Sequence, residues 1–182
     1  MPWQNAQGLQ SKQYTCGHCN NLVASSGGFA STSVGGRAVY LCPHCDKPTY
    51  FDAGVALPGV PFGAAVAHLP PDVEILYMEA RRCSSASAFT ASVLLCRKLL
   101  MNIAVSLGAK AGEPFASYVE YLASAGYVPP NGKAWVDHIR KKGNEATHEI
   151  VIMQQHDAQD LLLFSEMLLK FIYEFPKKVP TP

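Results

Sequence analysis

From residue 72 onward, apolar side chains recur at intervals of three and four residues, which is the spacing of one face of an α-helix. The longest such segment spans residues 86–107. Its other faces are also apolar or small, so we predict a central, buried helix. Four further segments share this period and predict helices that start at Asp72, at Pro114, near Lys133 and at Asp157. Five helices with short connections predict a bundle.

The first part of the chain lacks this period. Residues 37–41 and 49–51 are rich in β-formers and predict short strands, with a tight turn at Gly35–Gly36. A segment of about 40 residues cannot bury enough apolar surface to fold unaided, so we expect a metal ion to stabilise it.

Between these two parts, residues 53–71 contain four prolines and three glycines, which predicts an extended linker. The expected organisation is a small β zinc ribbon over residues 1–52, a Pro/Gly-rich linker over 53–71 and a helical domain over 72–182. The predicted fold class is therefore mainly α.

Composition limits the classes of partner. Charged residues make up 16% of the chain and the formal net charge is +1, so no overall field attracts nucleic acid or a membrane. The N-terminus lacks the apolar core of a signal peptide, and no run of about 18 uninterrupted apolar residues predicts a membrane span. Cys83 and Cys96 are isolated thiols, which suits a reducing compartment, and we expect a cytoplasmic protein.

The remaining four cysteines form two Cys-x-x-Cys pairs, Cys16–Cys19 and Cys42–Cys45, separated by 22 residues. Each pair can form a tight knuckle, and two knuckles supply the four thiolates of a tetrahedral zinc site. We predict one structural zinc ion per chain. Four sulfur ligands leave no open position, so we do not expect catalytic chemistry at this metal.

Several features of this ribbon have alternative interpretations. The cysteines could be two redox dithiols, although such pairs normally precede a helix. His18 and His44 could replace a cysteine ligand, but solvent-facing positions fit them better. Five aromatic residues could stack on nucleic-acid bases, although filling the small core of the ribbon is the favoured interpretation; they are Tyr14, Phe29, Tyr40, Tyr50 and Phe51.

The most unusual polar segment runs from Ile139 to His148. Arg140, Asn144 and His148 are spaced four apart and would share one face of a continuous helix. A cation, an amide and a histidine could bind a phosphate and transfer a proton, as in a metal-independent ribonuclease. In the alternative interpretation, Gly143–Asn144 ends one helix, Asn144 caps a second and His148 is a structural histidine.

The motifs in this region resemble a known family. Three motifs look like those of the domain of unknown function 4145 family. They are Glu79-Ala-Arg in one predicted helix, Ala-Ser-Val-Leu-Leu-Cys-Arg97 in the next, and Gly143-Asn-Glu-Ala-Thr-His148 further along the chain. The resemblance covers about residues 66–175. It implies a HEPN-like bundle of about five helices, which the family shares with dimeric ribonucleases of toxin–antitoxin and phage-defence systems. It also implies a homodimer with a polar cleft where the two copies of His148 meet.

The chain departs from the active members of that group at Gly143, where they commonly place an arginine. We therefore expect RNA recognition with weak or lost metal-independent ribonuclease activity. The expected catalytic residues are His148, Asn144, Arg140 and Lys142, and the expected nucleic-acid-binding cations are Arg140, Lys141 and Lys142. Arg97 is expected to pair with an acid such as Glu79. The alternative function is a non-catalytic module that dimerises and docks on a partner protein.

Overall fold

The computed structural model describes residues 3–148 and 151–178, except for the side chains of residues 130, 133 and 145–148. The chain divides into two compact units, Met1–Pro61 and Phe62–Pro182, which we call the sheet unit and the helical unit. Together they make a mixed α/β protein. The expectation of a mainly α chain understated the sheet.

The sheet unit is one antiparallel sheet with the strands in chain order. The strands are β1 (Gln7–Thr15), β2 (Leu22–Ala30), β3 (Ala38–Leu41), β4 (Pro48–Asp52) and β5 (Val55–Leu57). On one face, the rings of Tyr14, Tyr40 and Phe51 pack edge to face with centroids 5.1 to 6.3 Å apart. These three rings form the centre of a small core that also includes the buried sulfurs of Cys16 and Cys42.

The segment predicted as a linker is ordered at both ends. Val55–Leu57 pairs with β4, and the chain after it lies against the first cysteine knuckle. A Cβ atom on Gly17 would be only 2.4 Å from the carbonyl oxygen of Pro58, so this close approach requires glycine. Pro58–Pro61 therefore completes the sheet unit.

The other end of that segment belongs to the helical unit. The N–H groups of Ala64 and Ala67 donate to carboxylate oxygens of Glu166 (2.8 Å) and Glu174 (3.0 Å). Arg81, which is 4% exposed, donates to the carbonyl oxygens of residues 62 (2.9 Å) and 63 (2.6 Å). Buried charged groups satisfy backbone polar atoms here, so residues 62–67 are held on the helices rather than extended in solvent.

The helical unit contains α1 (Pro71–Ser85), α2 (Phe89–Ser106), α3 (Phe115–Ser124), α4 (Lys133–His148), α5 (Gln155–Leu169) and α6 (Phe175–Lys178). A 3-10 turn over Pro130–Gly132 precedes α4, and a π-helical segment over Lys170–Glu174 joins α5 to α6. Helix α1 starts after Pro70 without a side-chain cap, so Asp72 lies inside its first turn instead of capping it. Asp157 forms a capping box with Gln154, and the helical path continues through Pro176.

Helix α2 is the centre of the helical unit and packs against α1, α3, α4 and α5. Among the described residues, it is the one helix long and apolar enough to cross a membrane. Its buried face includes Val93, Cys96, Leu100 and Ile103, each fully buried. A core position surrounded by four helices accounts for the apolar composition of α2.

Candidate metal centre and the polar face of helix α4

The four predicted metal ligands lie together. The sulfur atoms of Cys16, Cys19, Cys42 and Cys45 are all within 4.8 Å of one another. The two knuckles have the same backbone design, because Asn20 N–H donates to Cys16 O (2.8 Å) and Asp46 N–H donates to Cys42 O (2.9 Å). Asn20 and Asp46 have positive φ angles of 60° and 57°, which asparagine and aspartate tolerate better than most residues.

The sulfur separations fit a tetrahedral cation. Cys16 Sγ lies 3.8 Å from Cys45 Sγ, and Cys19 Sγ lies 3.8 Å from Cys42 Sγ. Four sulfurs at about 2.3 Å from one ion would be about 3.8 Å apart. No disulfide links any of these cysteines. The cluster is therefore compatible with a structural metal site.

The thiol environments favour the same interpretation. The backbone N–H of Asn21 lowers the pKa of Cys19, whereas burial beside the other sulfurs raises the pKa of Cys45. Four adjacent thiolates repel one another, and a bound cation would remove that repulsion.

The two knuckle histidines face solvent, as expected, and they also join the knuckles. His18 Nε2 donates to the carbonyl oxygen of Pro48 at 3.0 Å, across the site. His44 Nδ1 accepts from the side-chain amide of Asn21 at 3.0 Å. Each histidine therefore connects its own knuckle to the residues that follow the other one.

The predicted polar face of α4 lies on one uninterrupted helix, Lys133–His148. The alternative in which Gly143–Asn144 ends a helix is wrong. Positions 140, 144 and 148 are thus aligned at intervals of about one turn. The side chain of His148 lies outside the described residues.

Two of the predicted phosphate-binding cations pair with acids instead. Arg140 Nη1 is 3.1 Å from Asp137 Oδ1 and 3.6 Å from Glu120 Oε2. The three side chains are among those that line a surface cavity of about 450 Å³. The two carboxylates would repel a phosphate there, so this face of Arg140 is unsuited to RNA.

Lys142 holds α4 against the start of α5. Its Nζ atom is 2.9 Å from Asp157 Oδ1, and the Asp157 side chain is only 5% exposed. Burial raises the pKa of Asp157, but hydrogen bonds from Lys142 and Gln154 N–H, with the charges of Lys142 and His156, outweigh it and leave the pKa lowered. Lys142 is thus half-buried and structural rather than exposed, while Lys141 is exposed.

The side chain of Asn144 accepts from an arginine of α2. Arg97 Nη1 donates to the carbonyl oxygen of Gly143 and lies 3.5 Å from Asn144 Oδ1. The pairing expected between Arg97 and Glu79 is wrong. Burial lowers the pKa of Arg97, but an arginine side chain remains protonated in proteins. Asn144 is exposed, so this junction of α2 and α4 reaches the surface.

The ring of Phe115 accounts for the position of the Arg97 guanidinium and for the glycine at position 143. The guanidinium carbon of Arg97 lies 4.6 Å from the centroid of the Phe115 ring. A Cβ atom on Gly143 would lie 2.1 Å from Phe115 Cε1. Glycine therefore leaves room for a buried ring from α3, and any larger residue at 143 would collide with it. The sequence contained one signal of this arrangement, a lone arginine within an apolar helix.

These observations define the class of protein: a small sheet with a four-cysteine cluster, followed by a helical unit. The family model described as "Domain of unknown function (DUF4145)" matches residues 78–181, more than half of the chain, and the chain belongs to that family. Comparisons with curated proteins and with solved structures find no match.

Proposed function

We propose that this protein recognises RNA through the surface where Arg97 of α2 meets Asn144 of α4. The observation that carries the proposal is the guanidinium held beside an exposed asparagine amide, 3.5 Å from its oxygen. Because Arg97 engages the Oδ1 atom of Asn144, the amide N–H groups of Asn144 remain as separate donors. A guanidinium and an amide donor side by side suit a phosphate oxygen.

The proposed site differs from the expected one in its cation. Arg97 replaces Arg140 and Lys142, whose ion pairs limit what either can offer to a phosphate. Asn144 keeps its role. Together with the net charge of +1, this predicts moderate affinity from a few phosphate contacts.

We propose that ribonuclease activity is weak or lost. His148 follows Asn144 on α4 and would be the general acid or base of any residual cleavage. The Arg97 guanidinium is half-buried, and its Nη1 atom already donates to the Gly143 carbonyl and the Asn144 amide oxygen, so fewer of its N–H groups remain to stabilise the charge that develops in a transition state. Binding therefore survives better than catalysis. A HEPN-like role in phage defence or a toxin–antitoxin system would fit this chemistry.

We also propose that the four-cysteine cluster holds one zinc ion and that the protein is cytoplasmic. Four thiolates at tetrahedral spacing favour zinc over harder cations. Six cysteines without a disulfide suit a reducing compartment.

The test is an equilibrium titration of labelled single-stranded RNA with wild-type protein and three variants. Arg97→Met and Asn144→Ala should weaken binding, because each removes a donor from the phosphate. Arg82→Met is the matched control, since it removes an exposed arginine from α1 without touching the site. Denaturing gels of the same samples measure cleavage. Equal loss in the Arg97 and Arg82 variants would refute the proposed site.

The alternative, a dimerising protein-interaction module, is favoured by a different observation. Leu163, Phe171 and Phe175 are 48%, 49% and 40% exposed, and with Met167 they form a row at four-residue spacing. This row lines a surface concavity of about 240 Å³. Exposed apolar rows of this kind often mark interaction sites. Sedimentation at tens of micromolar, comparing wild type with Phe171→Ser, would detect a homodimer that uses this row.

A further inference from the structure

Three groups from three helices meet at the proposed RNA site. The Arg97 guanidinium from α2 lies over the Phe115 ring from α3, and the same ring occupies the space beside Gly143 on α4. Phe115 is 1% exposed, so its ring is part of the buried core. Phe115 itself is too buried to touch RNA.

We propose that Phe115 is a positioning residue that fixes the Arg97 guanidinium beside Asn144 for phosphate binding. The inference rests on the proposed function and assigns a cause to the geometry of that site. The negative face of an aromatic ring attracts a cation. An arginine side chain otherwise samples many rotamers and loses that freedom on binding.

Gly143 also helps to position the Arg97 guanidinium. Its carbonyl oxygen accepts from Arg97 Nη1, and its missing side chain admits the ring. The ring and the carbonyl therefore hold the guanidinium from two directions. Gly143 therefore makes room for the ring over which the Arg97 guanidinium from another helix lies.

The geometry predicts a graded effect of ring electronics on affinity. Replacing Phe115 with mono-, di- and trifluorophenylalanine progressively weakens the negative face of the ring while nearly preserving its shape. RNA affinity should fall step by step and by about fivefold over the series, the size expected for one cation–π contact. The unfolding midpoint should fall only modestly, because the same contact is present in the free folded protein. Phe115→Leu, which removes the ring, should lose at least as much affinity.

A second readout does not depend on RNA. In the free protein, the Arg97 side-chain N–H signal in an NMR spectrum should carry the ring-current shift of Phe115 and lose it in Phe115→Leu. The signal is assigned with Arg97→Lys, and circular dichroism verifies that each variant is folded. An Arg97 signal unchanged in Phe115→Leu would overturn the inference.

The two proposals fail in different ways. If wild-type protein does not bind RNA, the proposed function fails, and the NMR signal alone decides whether Phe115 positions Arg97. If wild-type protein binds but affinity is flat across the fluorinated series, the positioning role of Phe115 is refuted and the RNA site stands.

Discussion

Replacing Gly143 with alanine sets two opposing contributions to stability against each other. Alanine is favoured over glycine in the interior of a helix by about 0.8–1.0 kcal/mol. The new Cβ atom, however, would lie 2.1 Å and 2.7 Å from two carbons of the buried Phe115 ring. Overpacking a tightly filled core costs about 1–3 kcal/mol. Because the collision is severe and the ring is buried among other side chains, we expect a net loss of about 1–2 kcal/mol.

The assay is urea unfolding followed by circular dichroism at a helical wavelength, with zinc held in excess so that the sheet unit contributes equally throughout. The expected result is a lower midpoint with an unchanged slope. Asn144→Ala, at the neighbouring exposed position, is the control and should change stability by no more than about 0.5 kcal/mol. Adding Phe115→Leu should make Gly143→Ala less harmful. A Gly143→Ala variant more stable than wild type would refute the steric argument.

Three further outcomes are expected. Cys42→Ser should abolish bound zinc, as measured by elemental analysis, and should unfold the sheet unit while the helical signals persist. The reason is that structural zinc contributes on the order of 10 kcal/mol to the free energy of folding of such small units. Full zinc occupancy in the variant would contradict this prediction. Lys142→Met should reduce stability at neutral pH and flatten the acid limb of a curve of stability against pH. The pKa of Asp157 is lowered in the folded protein, so the stabilisation from this carboxylate is present above its unfolded pKa and is lost as the pH falls through its folded pKa. Parallel curves for the variant and wild type would argue against the pairing of Lys142 with Asp157. Arg81→Met should lower the free energy of unfolding by about 1–3 kcal/mol, because the carbonyl groups of residues 62 and 63 lose their donor. An unchanged thermal unfolding midpoint would count against a stabilising role for these two hydrogen bonds.

The local features were predictable from the sequence because their physics is local. Two Cys-x-x-Cys pairs specify the knuckles through their spacing, and the three-four period located the helices to within a few residues. By contrast, β1 and β2 are rich in glycine, serine and glutamine, so their nine-residue lengths gave little apolar alternation to detect.

The cation of the candidate site was not predictable, because it depends on which helices are neighbours. Arg97 is 46 residues from Gly143 in the chain, and its partner is a backbone carbonyl, which no sequence pattern marks. Lys142 looked like part of a basic run, yet the fold places Asp157 beside it. Only Phe115, reached through tertiary packing, explains why position 143 is glycine.

The central claim is that Arg97 contacts an RNA phosphate, and the salt dependence of binding tests it most directly. Affinity is measured for wild type and Arg97→Met between about 50 and 200 mM salt, and the logarithm of the binding constant is plotted against that of the salt concentration. We predict a linear dependence for wild type and a slope smaller by about one in the variant, the loss of one phosphate contact. Identical slopes, or wild-type binding indifferent to salt, would contradict the account and favour the protein-interaction alternative.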